Sequence, residues 1–212
     1  MTLWEKPAVE AAAQMRTGEL TVSAYLEACL GRLHATEDRV QAWEHVDEEA
    51  ARKEAARLDA LPLSERTGRL FGVPIGVKDV IDVAGQPTTA AFAPYKDAVA
   101  PTDAGLVEAL RAEQAILLGK TVTAQFAWSQ DTPKTHNPWD LAHTPGASSS
   151  GSAAAIGARQ VPATIGTQTT SSLLRPAAYC GAVAFKASYG VGSCPGVVPT
   201  AWSSDHPRVM TA

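Results

Sequence analysis

Only three cysteines occur in the 212 residues, Cys29, Cys180 and Cys194. Their odd number and unpaired spacing exclude a disulfide framework or a zinc knuckle and leave reduced thiols. Charge of one sign is also in short supply: 18 basic against 22 acidic residues give a formal net charge of -4. That balance offers no broad basic field for nucleic acid and no acidic tail, and it suits a small uncharged substrate. Nowhere do about 18 uncharged apolar residues run together, so no membrane span is expected. The N-terminus, MTLWEKPAVEAAAQMRTGEL, carries early charges and no continuous apolar region, and the expected location is the cytoplasm. Neither an internal repeat nor a loose glycine or serine linker divides the chain.

What is present is 45% hydrophobic residues, enough for a real core in one large or two small domains. From Pro7 to about Leu61 apolar residues recur at helical spacing, with Pro7 opening one helix and Thr21 as the N-cap of VSAYLEACLGRLHA. A strand is expected within Val40 to Val46, and EEAARKEAARLDAL returns to a helix with charges on one face. Residues 1–61 therefore read as a helical region packed outside a core formed by 62–212. His34 and His45 fall in these elements and read as ordinary surface or packing residues. From Gly68 the pattern changes to short β-branched runs bounded by Gly and Pro, then a helix over Asp103 to Gln114 and an AILLGKT strand. The expected fold class is α/β, a mixed β-sheet covered by helices.

The stretch from Asn137 onward is rich in Gly, Ser, Ala and Thr, yet Ile165, Leu173, Leu174, Tyr179, Val183 and Phe185 punctuate it with core-sized side chains. It reads as packed backbone near a site. In TPGASSSGSAAAIGA, Thr144 to Ala158, a Pro-Gly turn and a row of hydroxyls precede an alanine run suited to a helix. A second hydroxyl cluster lies in VPATIGTQTTSSLLRPAAYCG, after a β-branched run ending at Gly166. Unpaired N–H groups at such turns stabilise a developing oxyanion, and an adjacent serine is placed to be a nucleophile.

A serine nucleophile needs a proton acceptor. His136 and His143 lie in a loop, and His206 stands near the end beside Asp205, none of them near a nucleophile-elbow pattern. Lys78 ends the apolar, glycine-rich run GVPIGVKD, where burial would lower its pKa and leave it neutral enough to act as a base. Taken alone, Lys78 reads more simply as a solvated strand-end lysine, and Ser148 and Ser172 as helix caps. Cys180 has no histidine placed for it and reads as a packed thiol. The GVGSCPG run at Gly190 reads as a turn.

Three ordered segments alter that reading. GVPIGVKD from Gly72, TPGASSSGSAAA from Thr144 and GTQTTSSLLRPAAYCG from Gly166, with NPWD at Asn137 to Asp140 leading in, resemble the amidase-signature family over about Leu61 to Ala212. The resemblance implies a Ser-Ser-Lys triad: Lys78 as base, Ser148 as the bridging serine preceded by a cis peptide bond, and Ser172 as the acyl-forming nucleophile. Ser148 is chosen over Ser149 and Ser150 as the first serine of the GASSSG segment. Backbone N–H groups over Thr169, Thr170, Ser171 and Ser172 would form the oxyanion hole, and no metal or organic cofactor is needed. Arg175 either clamps a substrate carboxylate or anchors the loop. The implied reaction is hydrolysis of a small-molecule amide, with ester hydrolysis or acyl transfer by the same triad as the alternative.

The departures from the family pattern carry expectations of their own. Thr170 and Ser171 stand where the family has glycines, which would be costly if either needs a positive φ. Ala147 and Ser150 likewise replace glycines. The GTQT reading at Gln168 resembles a branch acting on small amides. The resemblance covers only the N-terminal half of a family member, so a truncated form or a specialised short relative is expected, with an exposed sheet edge and apolar face that make the chain homo-oligomeric or dependent on a partner subunit, or else inactive.

Overall fold

The computed structural model describes residues 2–128 and 133–212. Its first layer is helical. Helix α1 (Ala8–Thr17) follows Pro7 and ends on Gly18 at φ 81. Helix α2 (Val22–Val40) starts where the Thr21 hydroxyl accepts the Ala24 N–H at 3.2 Å, the N-cap expected from its sequence. Tyr25, Leu26, Cys29, Leu30 and Leu33, three or four apart, form its buried stripe. Helix α3 (Glu48–Asp59) is capped by Asp47, whose side chain accepts the Ala50 N–H at 3.0 Å. Asp59, at the far end of α3, accepts the N–H groups of Val22 and Ser23, so one carboxylate ties it to the start of α2.

The second layer is a sheet of six strands, β1 (Trp43–Val46), β2 (Pro74–Lys78), β3 (Ile116–Thr121), β4 (Ala163–Gln168), β5 (Val183–Ala184) and β6 (His206–Thr211). Their order is β1-β3-β2-β4-β6-β5. The β2–β3 and β2–β4 pairs are parallel and the others antiparallel, so the mixed α/β sheet expected from the sequence is the one observed. The parallel strands β2, β3 and β4 are buried at every position, which is why PIGVK, ILLGKT and ATIGTQ read as continuous runs without polar alternation. The strand through Gly166 runs two residues further, to Gln168, and the helix expected over Asp103 to Gln114 is α4 (Gly105–Ala112).

Helix α5 (Ser150–Gly157) lies on the sheet and touches β2, β3, β4 and β6. Its SGSAAAIG sequence is buried from Ser150 to Ile156, because only small side chains let a helix approach a sheet so closely. At Gly151 a Cβ would stand 2.1 Å from the Ala42 carbonyl oxygen and 2.4 Å from the Val122 nitrogen, so glycine is required. Helix α6 (Leu174–Cys180) follows β4 and packs on α5.

At the β5 end the sheet stops on an apolar surface. Val183 is 66% exposed and Phe185 65%. Such a patch beside a strand edge favours association. Light scattering is expected to show the isolated chain self-associating, and the double change Val183→Ser, Phe185→Ser to return it toward the monomer mass. An unaltered chain that stays monomeric at high concentration would contradict this.

Candidate active site

The site forms where the C-terminal ends of β2 and β4 meet the start of α5. Lys78 is the last residue of β2 and is fully buried. Its Nζ donates to Ser148 Oγ at 2.7 Å and to Thr167 Oγ1 at 2.8 Å, both neutral hydroxyls. Burial pulls the ammonium down to about 7, with the Asp205 carboxylate acting in the opposite direction. A lysine in this setting exchanges its proton near neutral pH.

Ser148 lies in the turn that feeds α5, and the Ala147–Ser148 peptide bond is cis, as the family resemblance implied. The three neighbouring serines divide their work. Ser149 Oγ donates to the Thr167 carbonyl at 3.1 Å and Ser150 Oγ to the Val122 carbonyl at 3.4 Å, so both are tied to backbone. Ser148 is the one whose hydroxyl reaches Lys78.

Ser172 faces the same cleft, about 410 Å³, whose walls include Ala147, Ser148, Thr169, Thr170, Ser171 and Arg175. Its carbonyl accepts the Ser149 N–H at 3.1 Å, which fastens the second hydroxyl turn to the first. No hydrogen bond joins Ser148 Oγ to Ser172 Oγ among the described residues. The loop between β4 and α6 is shaped by Gln168, whose Oε1 accepts the N–H groups of Leu173 at 3.0 Å and Leu174 at 2.9 Å. The N–H groups of Thr169 to Ser172 find no acceptor among the described residues, which leaves donors at the cleft wall. Neither Thr170 nor Ser171 adopts a positive φ, and neither do Ala147 and Ser150; the turn's positive φ falls on Gly146, at 80. The loss of the family's glycines therefore brings no left-handed strain here.

Arg175 donates from Nη2 to the Ala147 carbonyl at 2.6 Å, which is the anchoring contact of the two alternatives, while its buried Nε has no partner among the described residues. None of the five histidines lines the cleft. His206 turns Nδ1 to the carbonyls of Ser204 and Gln168, His136 bonds the Leu141 carbonyl, and His143 pairs with Asp140. His34 is a surface partner of Glu48. Cys180 is buried, and burial pushes its thiol up to about 12, so it is packing and not a nucleophile. Among the described residues no three His, Cys, Asp or Glu side chains gather as metal ligands would.

Two residues of this site have no role in the sequence reading. Thr167 is the second hydroxyl on Lys78, and nothing in its local sequence sets it apart from the neighbouring threonines. Asp205 accepts from Thr169 Oγ1 at 2.7 Å, and no local pattern announces a contact 36 residues distant.

A family model described as Amidase matches residues 24–212. One subunit of the Glutamyl-tRNA(Gln) amidotransferase of Chlamydia felis is 39% identical over 99% of this chain and 44% of its own length. The subunit of the same name from Roseiflexus is 41% identical over 89% of the chain and 40% of its length. Among solved structures, the native peptide amidase of Stenotrophomonas maltophilia superposes with a TM-score of 0.89 at 33% identity, covering 98% of this chain and 45% of that one. A chain of a vestigial protein complex described as revealing the origins of an s-triazine catabolic enzyme gives 0.91 at 32% identity, covering 97% and 47%. The chain thus spans less than half the length of these relatives. With the matched region running through the Lys78, Ser148 and Ser172 segments, the chain belongs to the amidase-signature family.

Proposed function

We propose that the chain hydrolyses a carboxylic amide through an acyl-enzyme on Ser172, with Ser148 and Lys78 as the proton relay. The observation that carries this reading is a fully buried lysine, drawn down to about 7, at 2.7 Å from Ser148 Oγ. Neutral Lys78 accepts the Ser148 proton, Ser148 accepts that of Ser172, and Ser172 Oγ attacks the substrate carbonyl. The N–H groups of Thr169 to Ser172 hold the oxyanion. The relay then returns a proton to the leaving nitrogen, and water releases the acid by the same route. Arg175, a wall of the cleft beside Ser172, points the preference toward substrates with a polar or carboxylate group near the scissile bond. Gln168 in the GTQT segment favours a small amide; an ester or an acyl acceptor other than water would use the same triad. The reduced cysteines suit the cytoplasm.

The relay predicts a pH profile. Only the neutral amine accepts a proton, so acylation should rise about tenfold per pH unit below about 7 and level off above it. The measurement is the rate of fluorophosphonate modification of Ser172 between pH 5 and 9. A rate that does not vary across that range would remove Lys78 from the relay.

The exposed Val183 and Phe185 at the β5 edge favour a second reading, in which the site becomes competent only when a second copy or a partner subunit covers that face. Addition of such a partner would then raise the labelling rate without changing the residue labelled.

A further inference from the structure

We propose that Asp205 is a positioning residue for this site: its carboxylate fastens the Thr169 end of the oxyanion loop to the turn at Thr200 and Ala201, and it supplies the negative charge that Lys78 meets. This inference rests on the Ser-Ser-Lys reading above.

The geometry is a three-point clamp. Oδ1 accepts from Thr169 Oγ1 at 2.7 Å, and Oδ2 accepts the N–H groups of Thr200 at 2.7 Å and Ala201 at 2.9 Å. Thr169 and Thr200 are both walls of the cleft that holds Ser148 and Ser172. Thr200 in turn donates to the Phe126 carbonyl at 3.0 Å, so the clamp reaches the turn at Gln125–Ala127, and Ala127 also lines the cleft. Asp205 sits immediately before β6, whose pairing with β4 brings it beside the strand end. Thr167 in β4 bonds Lys78, and Thr169, one residue past the end of β4, bonds Asp205. The amine and the carboxylate are thus each hydrogen-bonded to a threonine of the short segment 167–169.

Lys78 has few other charges to answer to. Asp79, next in the chain, pairs with Lys120 of β3. Arg175 of α6 is turned to the Ala147 carbonyl, and His206 of β6 to backbone carbonyls. Helix α5 and strand β4 carry no titratable side chain. Burial alone disfavours the ammonium, and the Asp205 charge partly restores it, which keeps the amine exchangeable near neutral pH instead of neutral throughout.

The test is a titration of Lys78 by NMR in chain labelled with ε-13C lysine, its resonance identified by its loss in Lys78→Met. In Asp205→Asn the midpoint should move to lower pH by about 1, because the negative charge is gone while an acceptor oxygen remains. An unmoved midpoint overturns the proposal. A second measurement needs no variant: in the unaltered chain the Asp205 13Cγ shift should show an inflection at the Lys78 midpoint, and its absence overturns the proposal equally. A clamp that served folding alone would move neither signal. Both are read without turnover, so a chain that fluorophosphonate leaves unmodified would sink the Ser172 reading while the titration still decides the role of Asp205.

Discussion

Replacing Lys78 with methionine is expected to slow acylation of Ser172 by on the order of 10³-fold, the scale of a lost general base. Methionine keeps the length and the buried packing of the stem and removes only the amine, so loss of activity would not reflect loss of fold. Stability should respond in the other direction. The unaltered chain buries an amine whose pKa is depressed from 10.5 to about 7. Between those values the unfolded chain binds a proton that the folded chain does not, so folding gains stability as pH rises through the window and loses it as pH falls toward about 7. Denaturant unfolding should show the unaltered chain gaining up to about 1.4 kcal/mol per pH unit relative to Lys78→Met between pH 7 and 10. His206→Ala, by contrast, should leave the acylation rate within a few-fold. A large His206 effect would make the imidazole the base and remove the lysine from that role.

The second large effect belongs to a different lysine. Lys120 Nζ lies 3.2 Å from Asp79 Oδ1, with side chains 0% and 1% exposed, and also donates to the Pro87 carbonyl and Thr88 Oγ1. Asp79 accepts the Thr89 N–H and the Thr89 hydroxyl. Burial pushes the carboxyl up and the ammonium down, each offset by the partner's charge. Lys120→Met should cost about 3–5 kcal/mol in denaturant unfolding, because it strands a buried carboxylate. Adding Asp79→Asn should recover much of that loss, since the uncompensated charge is then gone. Equal destabilisation by the single and double variants would mean that packing, and not charge, is at stake.

These two lysines show where sequence reading succeeds and where it stops. Lys78 ends β2, in GVKD, Lys120 is the next-to-last residue of β3, in LGKT, and both are fully buried. What separates them is partnership. Lys120 meets a carboxylate and Lys78 meets two hydroxyls, and this depends on the parallel register that sets Val77 beside Lys120 and Lys78 beside Thr121. Register between strands some 40 residues apart leaves no local trace, so residue chemistry raised Lys78 only as a candidate base and the ordered family segments gave it its role. Local elements were more readable. The Thr21 cap, the strand near Trp43 and the alanine helix at Ser150 each follow from short-range propensities. The same limit hid Asp205, whose partners Thr169 and Thr200 are brought to it by β4–β6 pairing and a turn. It also left the effect of Thr170 and Ser171 open, because backbone angles in an irregular loop are set by contacts such as those of Gln168 with Leu173 and Leu174.

The most direct measurement is intact-protein mass after incubation with a fluorophosphonate, made on the folded unaltered chain and on Ser172→Ala. An activated nucleophile at Ser172 gives one adduct in the first and none in the second. No adduct on the folded unaltered chain, or an adduct that persists in Ser172→Ala, would contradict the Ser172, Ser148 and Lys78 relay.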